Sequence, residues 1–183
     1  MHKEPVAFIP EASISDLYAF SIFPRFTETT LVNFALASGL LAEALELDQN
    51  PSIPVTGRST YTFTFHPRLP QDTTWIHQSG QVEIDGVFNA RRKGSDRLFI
   101  VEAKFGELDS LSKNKLFYPY LSIRPHVPDN MPISLVYLRA STANSSIIYN
   151  VAESTTPNLD SPSPLDMSIV AARRFTVEMP AAY

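Results

Sequence analysis

The run Leu98-Phe99-Ile100-Val101 constrains the fold more than any other stretch of the chain. Four consecutive apolar residues leave a strand no polar face, so a strand built from them is covered on both sides. The run then ends abruptly in charge, as Glu102-Ala103-Lys104. A second phrase upstream, Val82-Glu83-Ile84-Asp85-Gly86, also loads a strand-like segment with acids.

The surrounding pattern supplies layers to cover such a strand. Leu31, Phe34, Ala35, Leu41, Ala44 and Leu45 recur at helical spacing, which predicts a helix over about 30–48. Thr29 or Thr30 would cap it, Pro51 would close it, and Gly39 is its weak point. Tyr61, Phe63 and Phe65 alternate with threonines, a strand signal, and strand-like runs follow at 73–78, 82–89 and 97–104. Gly94-Ser95-Asp96 offers turn chemistry between the last two, so they form an antiparallel hairpin. A short helix is expected over about 110–118, capped by Asp109 or Ser110 and disturbed by Pro119. Further strands are expected at 133–140 and 146–151, with a last one in the phrase RRFTVEM. Residues 153–166 form a Pro/Ser-rich loop, and Pro5, Pro10 and Pro24 break up residues 1–28. The order of elements predicts an α/β fold, bordering on α+β, with a central mixed sheet flanked by helices. At 183 residues the chain suits one domain, 1–183.

The composition, 44% hydrophobic, is that of a folded globular protein. The apolar stretches are too short for a membrane span, and the first residues lack a signal-peptide core. Cysteine is absent, which excludes disulfides and thiolate metal sites and fits a cytoplasmic, intracellular location. The net charge of -4 is unevenly spread. Residues 81–124 hold 8 Lys/Arg against 6 Asp/Glu, while residues 1–80 hold 4 against 8 and residues 125–183 hold 3 against 5. Arg91, Arg92, Lys93, Arg97, Lys113 and Lys115 are therefore the candidate footprint for a polyanion, although charged turns are also commonly just solvated.

Residues two apart on a strand share a face, so Glu83 and Asp85 project together, as do Glu102 and Lys104. On neighbouring hairpin strands the four side chains converge. A carboxylate at the end of a buried strand is partly desolvated, and a second carboxylate beside it makes ionisation harder still. A hard divalent cation relieves both, and Mg²⁺ typically takes one or two carboxylates and keeps several waters.

This combination resembles the PD-(D/E)xK nuclease superfamily, the restriction-endonuclease-like fold. Asp85 matches the family's first acid, and Glu102-Ala103-Lys104 matches its (D/E)-x-K element at the end of an apolar strand. The helices expected at 30–48 and 110–118 match those before and after the family's strands, so the resemblance covers about 30–140. Some branches carry Q-x-x-x-Y on the second helix; here Asn114 replaces the glutamine and Tyr118 keeps the tyrosine. Ile84 stands where proline often precedes the first acid, and no DNA-reading module is recognisable. The resemblance implies a metal-dependent nuclease acting on nucleic acid, DNA foremost, in restriction, repair or defence. It implies that Asp85, Glu102 and the backbone carbonyl of Ala103 ligate Mg²⁺, with Mn²⁺ able to substitute, and that Lys104 orients water or stabilises transition-state charge.

Accessory roles fall to Glu83, through a second metal, and to Glu43 and Glu46 as an extra acid from the first helix. Asn114 and Tyr118 are accessory through the second helix. Plainer readings stand beside these: a solvent-facing side chain for Glu83, a solvated helix face for Glu43 and Glu46, and core packing for Tyr118. His77, which shares a face with Trp75, reads better as structural than as a ligand or base. A homodimer or a partner domain would suit cutting both strands of DNA. The alternative is a protein that keeps the fold as a nucleic-acid or protein binding module without turnover, or an unrelated mixed fold whose charges are structural.

Overall fold

The computed structural model describes residues 4–22, 26–51, 54–67, 73–106, 112–143 and 146–178. Its centre is a seven-stranded mixed sheet in the order β1-β7-β6-β5-β4-β3-β2. In chain order these are β1 (Val6–Phe8), β2 (Val55–Phe65), β3 (Trp75–Arg92), β4 (Ser95–Phe105), β5 (Ile133–Ala143), β6 (Ser146–Ser154) and β7 (Ile169–Glu178). Strands β2, β3 and β4 form an antiparallel meander, and β5, β6 and β7 form a second one. The two meet along a parallel β4–β5 ladder, whose connection contains helix α4 (Asn114–Ile123). Helices α1 (Ile14–Ser21), α2 (Glu28–Ala37) and α3 (Leu40–Leu45) precede β2.

The apolar run of β4 divides its side chains between two cores. Phe99, Val101 and Ala103 join Leu31, Val32 and Phe34 of α2 in one cluster. Ile100, with Leu98 beside it, joins Leu116 and Phe117 of α4 in the other. Phe99, Ile100, Val101 and Ala103 are each at most 1% exposed, as a strand covered on both faces requires. The result is a three-layer α/β arrangement with β4 an interior strand beside the central β5. Among the described residues, no helix is long and apolar enough to cross a membrane.

The helix expected over 30–48 is two helices. Gly39, at φ +84°, takes a left-handed conformation that ends α2 and begins α3. The cap is Thr27, whose hydroxyl accepts from the Thr30 amide at 3.1 Å, so the helix begins earlier than Thr29 or Thr30 would set it. Its end comes at Glu46, also left-handed, before Pro51 is reached. The two runs at 73–78 and 82–89 are one strand, β3. Arg92 faces Ser95 across the hairpin, so its tight turn is Lys93-Gly94, both at positive φ, one step earlier than expected. Pro119 lies inside α4 rather than at its end. The capping expected from Asp109 or Ser110 lies outside the described residues.

Candidate active site at the fork between two strands

The β3–β4 ladder runs from Arg92↔Ser95 to Gly86↔Val101 and stops there. Beyond that point β3 continues with β2 as far as Trp75, and β4 continues with β5 as far as Phe105. The sheet thus forks between Asp85 on one arm and Glu102-Ala103-Lys104 on the other. With no ladder partner on that side, the Ala103 amide donates instead to Asp85 Oδ2, at 2.8 Å. A strand residue directs its N–H and C=O to the same side, so the Ala103 carbonyl is also turned toward the β3 arm.

A bulge aims Asp85 into the fork. Opposite β2, Val87 pairs with Val55 and Ile84 with Gly57, so three steps on β3 match two on β2. The extra residue falls in the stretch Ile84–Val87, which contains Asp85 and Gly86. Its effect shows in the packing: Ile84 and Val87 both face the α4 core, which simple alternation would forbid. Gly86 is required for a second reason. A Cβ built there would lie 2.9 Å from Val32 Cγ1, so the missing side chain is what lets α2 seat against the bulge.

The two acids are recessed. Burial raises the pKa of Asp85, against the opposing hydrogen bond from Ala103. Burial, reinforced by the charge of Asp85, pushes Glu102 from 4.5 up to about 8. The Glu102 side chain is 11% exposed, and its nearest cation, Lys115 Nζ, stands at 4.0 Å. Lys104 offsets the charge of the pair only in part. Its Nζ lies 2.9 Å from Glu28 Oε1, at the first position of α2. That contact raises the Lys104 pKa and lowers that of Glu28.

The far wall is the start of α4. Glu102 lies opposite Tyr137 in the β4–β5 register, and the Tyr137 hydroxyl donates to the carbonyl of Ser112. This bond ties the chain entering α4 to the sheet beside Glu102. A cleft of about 420 Å³ opens there, lined by Gln81, Val82 and Glu83 of β3 and by Asn114, Lys115 and Tyr118 of α4.

The structure therefore brings together Asp85, Glu102, Ala103 and Lys104, with Lys115 and Asn114 at the adjoining cleft. Other candidates lie elsewhere. Glu83 pairs with Arg58 of β2 at 3.1 Å, both side chains more than half exposed. Glu46 pairs with Arg173 of β7, whose guanidinium also donates to the Glu43 carbonyl, so these acids sit with α3 against the opposite end of the sheet order. Neither supplies an acid to the fork. Tyr118 packs among Phe63, Phe65, Phe117 and His77, and His77 stacks on Phe63 at 4.7 Å.

The expected basic surface is divided. Arg92 holds Glu153 through two 2.8 Å bonds, Arg91 faces Asp96 at 3.6 Å, and Arg97 donates to Ser134. The Lys93 amide is bound to Asp48. All four residues lie at the hairpin end, where Arg97 is five residues before Glu102, or about 17 Å along the strand. Lys113 and Lys115 alone of that group stand by α4, Lys113 reaching the Leu165 carbonyl at 3.5 Å.

Glu28 and Tyr137 are the site residues that local sequence patterns miss. Glu28 looks like an ordinary acid in the first turn of a helix, which the helix dipole favours. Tyr137 is one of eight consecutive buried residues in β5. Only the pairing of β4 with β5 and the seating of α2 reveal them.

No curated protein and no solved structure shows significant similarity to the chain. Residues 4–160 match the family described as a domain of unknown function, DUF6997, and the chain belongs to that family.

Proposed function

We propose that the fork is the active site of a metal-dependent nuclease, a phosphodiester hydrolase acting on nucleic acid, DNA foremost. The observation that carries this reading is the under-neutralised pair Asp85 and Glu102, desolvated side by side while the adjacent Lys104 is engaged by Glu28. Burying two acids together is unfavourable unless something cationic joins them. The order of helix, three-stranded meander, helix and parallel strand, with the acids on neighbouring interior strands, supports a restriction-endonuclease-like core.

The residues fit a hard cation. Two carboxylates and one inward-turned carbonyl are an oxygen-only set, and among the described residues no third His, Cys, Asp or Glu joins them as a metal cluster. That number suits Mg²⁺ or Mn²⁺ retaining several waters. When bound, the cation supplies Lewis-acid polarisation of a phosphoryl oxygen and a lowered pKa for water. The chain's own groups do the rest. Asp85 and Glu102 fix the site, and the Ala103 bond keeps Asp85 from rotating out of the fork. Lys104 presents a charged donor to the oxygens on which negative charge develops. Glu28 holds that ammonium in place and is a positioning residue. The reading places the protein in the cytoplasm, alone, as a homodimer, or with a partner domain.

The test is incubation with plasmid, linear duplex, single-stranded DNA and structured RNA in Mg²⁺ or Mn²⁺, beside EDTA and Lys104→Ala samples. The expected result is metal-dependent cleavage that Lys104→Ala abolishes. Absence of cleavage by a folded, metal-loaded protein would overturn the nuclease reading in favour of a binding module without turnover.

A further inference from the structure

We infer that the cleft beside the fork receives one unpaired nucleotide, so the ligand is a single strand or a locally unpaired stretch of nucleic acid. From the proposed function this takes only that the ligand is a nucleic acid. Four observations point the same way.

The acids are too recessed to be met from a flat surface. The Glu102 side chain is 11% exposed beneath Lys115, and the opening beside it is the cleft between β3 and α4. Its volume, about 420 Å³, is of small-molecule size. It has room for one base and sugar, and a base inside a duplex enters a recess between a strand and a helix only by leaving the stack.

The lining suits a base and its phosphate. Tyr118, partly exposed, offers an aromatic surface over the buried Val82. Asn114 is exposed on the first turn of α4, and among the described residues no hydrogen bond occupies its amide. An amide of that kind matches the donor–acceptor edge of a base. Lys115 stands between the cleft and Glu102, where the nucleotide's phosphate would lie.

Among the described residues, the cations near the fork are few. Arg91, Arg92 and Arg97 are engaged at the far end of the hairpin and Arg58 is held by Glu83, leaving Lys104, Lys113 and Lys115 near the site. Affinity therefore rests on base contacts with a short electrostatic footprint, as in single-strand recognition.

The experiment measures binding without turnover, using Lys104→Ala protein in Ca²⁺ and oligonucleotides carrying 2-aminopurine. The probes are a single DNA strand, the same strand in RNA, a full duplex, and a duplex with one unpaired nucleotide. Expected are a fluorescence change at the unpaired positions and single-strand affinity about tenfold or more above duplex affinity. The log–log salt slope for the single strand should be near about -2, from two or three phosphates. Asn114→Ala should weaken unpaired binding about tenfold, the scale of one good base contact, and Asn114→Trp, which fills the cleft from an exposed position, should abolish it. Equal or tighter duplex binding overturns the inference, as does unpaired binding that both Asn114 variants leave intact. A wild-type protein that binds unpaired nucleotides and never cuts sinks only the nuclease reading. One that cuts duplex as fast as single strand sinks only this inference.

Discussion

The Ala103 amide and the Asp85 carboxylate are joined at 2.8 Å across the point where β3 and β4 have ceased to pair. One hydrogen bond thus does two things. It satisfies a backbone donor that the fork would leave unpaired, and it fixes an acid next to Glu102 and Lys104. The Glu-x-Lys phrase and the upstream acid, 17 positions apart in the chain from Asp85 to Glu102, are one unit because of this bond.

Substitution at Asp85 separates the two roles. Asp85→Asn keeps an acceptor for Ala103 and removes a charge that burial disfavours, so the metal-free fold should be as stable as wild type or more so. Asp85→Ala leaves the amide without an acceptor and should be the less stable variant by about 1–3 kcal/mol. Both should lose Mn²⁺ binding and cleavage. Urea melts and calorimetric Mn²⁺ titration read these outcomes, and wild-type Mn²⁺ affinity in Asp85→Asn would refute the metal assignment.

The pH dependence of stability should carry the mark of Glu102. Its pKa rises from 4.5 in the unfolded chain to about 8 in the fold, so between those values the native state holds a proton the unfolded state has lost. This stabilisation is complete below 4.5 and is lost as pH rises through 8. Without metal, stability should therefore fall by on the order of 3 kcal/mol from about pH 5 to about pH 9. Glu102→Gln should flatten that fall, and divalent cation should offset it at the alkaline end. A metal-free urea midpoint that rises with pH over this window would contradict the burial of the pair.

The layered fold was legible because four consecutive apolar residues admit few arrangements, and the alternation of Tyr61, Phe63 and Phe65 marks its strand plainly. The convergence of Asp85 with Glu102 and Lys104 was legible because the hairpin sets their strands side by side and charge at the end of a buried strand such as β4 is rare. The bulge was not, because Ile84-Asp85-Gly86 carries no local sign of an extra residue, and Gly86 is explained only by Val32 packing on it from α2. The division of the basic surface was not legible either, because it turns in part on partners far away in the chain. Arg92 looks like a solvated turn residue until β6 brings Glu153 to it, 61 positions later. Glu28 escaped for the same reason, since its partner Lys104 is 76 positions away.

Gly86→Ala should show how closely α2 is seated. The added Cβ would lie 2.9 Å from Val32 Cγ1, inside ordinary contact, so either the helix or the bulge must shift. A loss of about 1–3 kcal/mol is expected from overpacking. Because Glu28 begins the same helix, cleavage should fall as well. Val32→Ala in the same chain makes room and should recover part of the lost activity. An unchanged urea midpoint in Gly86→Ala would show that the contact is easily relieved.

Arg92 and Lys115 should behave oppositely, although both were candidates for one basic surface. The Arg92–Glu153 pair is mostly buried, with side chains 20% and 12% exposed, so Arg92→Ala strands a carboxylate and should cost about 3 kcal/mol or more. Its nucleic-acid affinity should be unchanged at temperatures where the variant stays folded. Lys115 is 62% exposed, so Lys115→Ala should leave stability within about 1 kcal/mol and weaken binding. Melting curves and binding isotherms at two salt concentrations distinguish the pair.

Glu28 should set the pH range of the reaction rather than the stability of the fold. Its bond to Lys104 is half-exposed, with side chains 41% and 60% exposed, so Glu28→Gln should change stability by no more than about 1 kcal/mol. Its charge, however, raises the pKa of Lys104 and also that of Asp85. Removing it lowers both. Lys104 then loses its proton at lower pH, which moves the alkaline limb of kcat/KM down, while the acid limb, set by Glu102, stays in place. The profile should narrow from its alkaline side, with a rate loss of about tenfold at the optimum as the unheld ammonium samples other rotamers. Lys104→Ala should lose about 100-fold or more and abolish the alkaline limb. A structural role for Glu28 would lower the rate without moving either limb, and that result would remove Glu28 from the site.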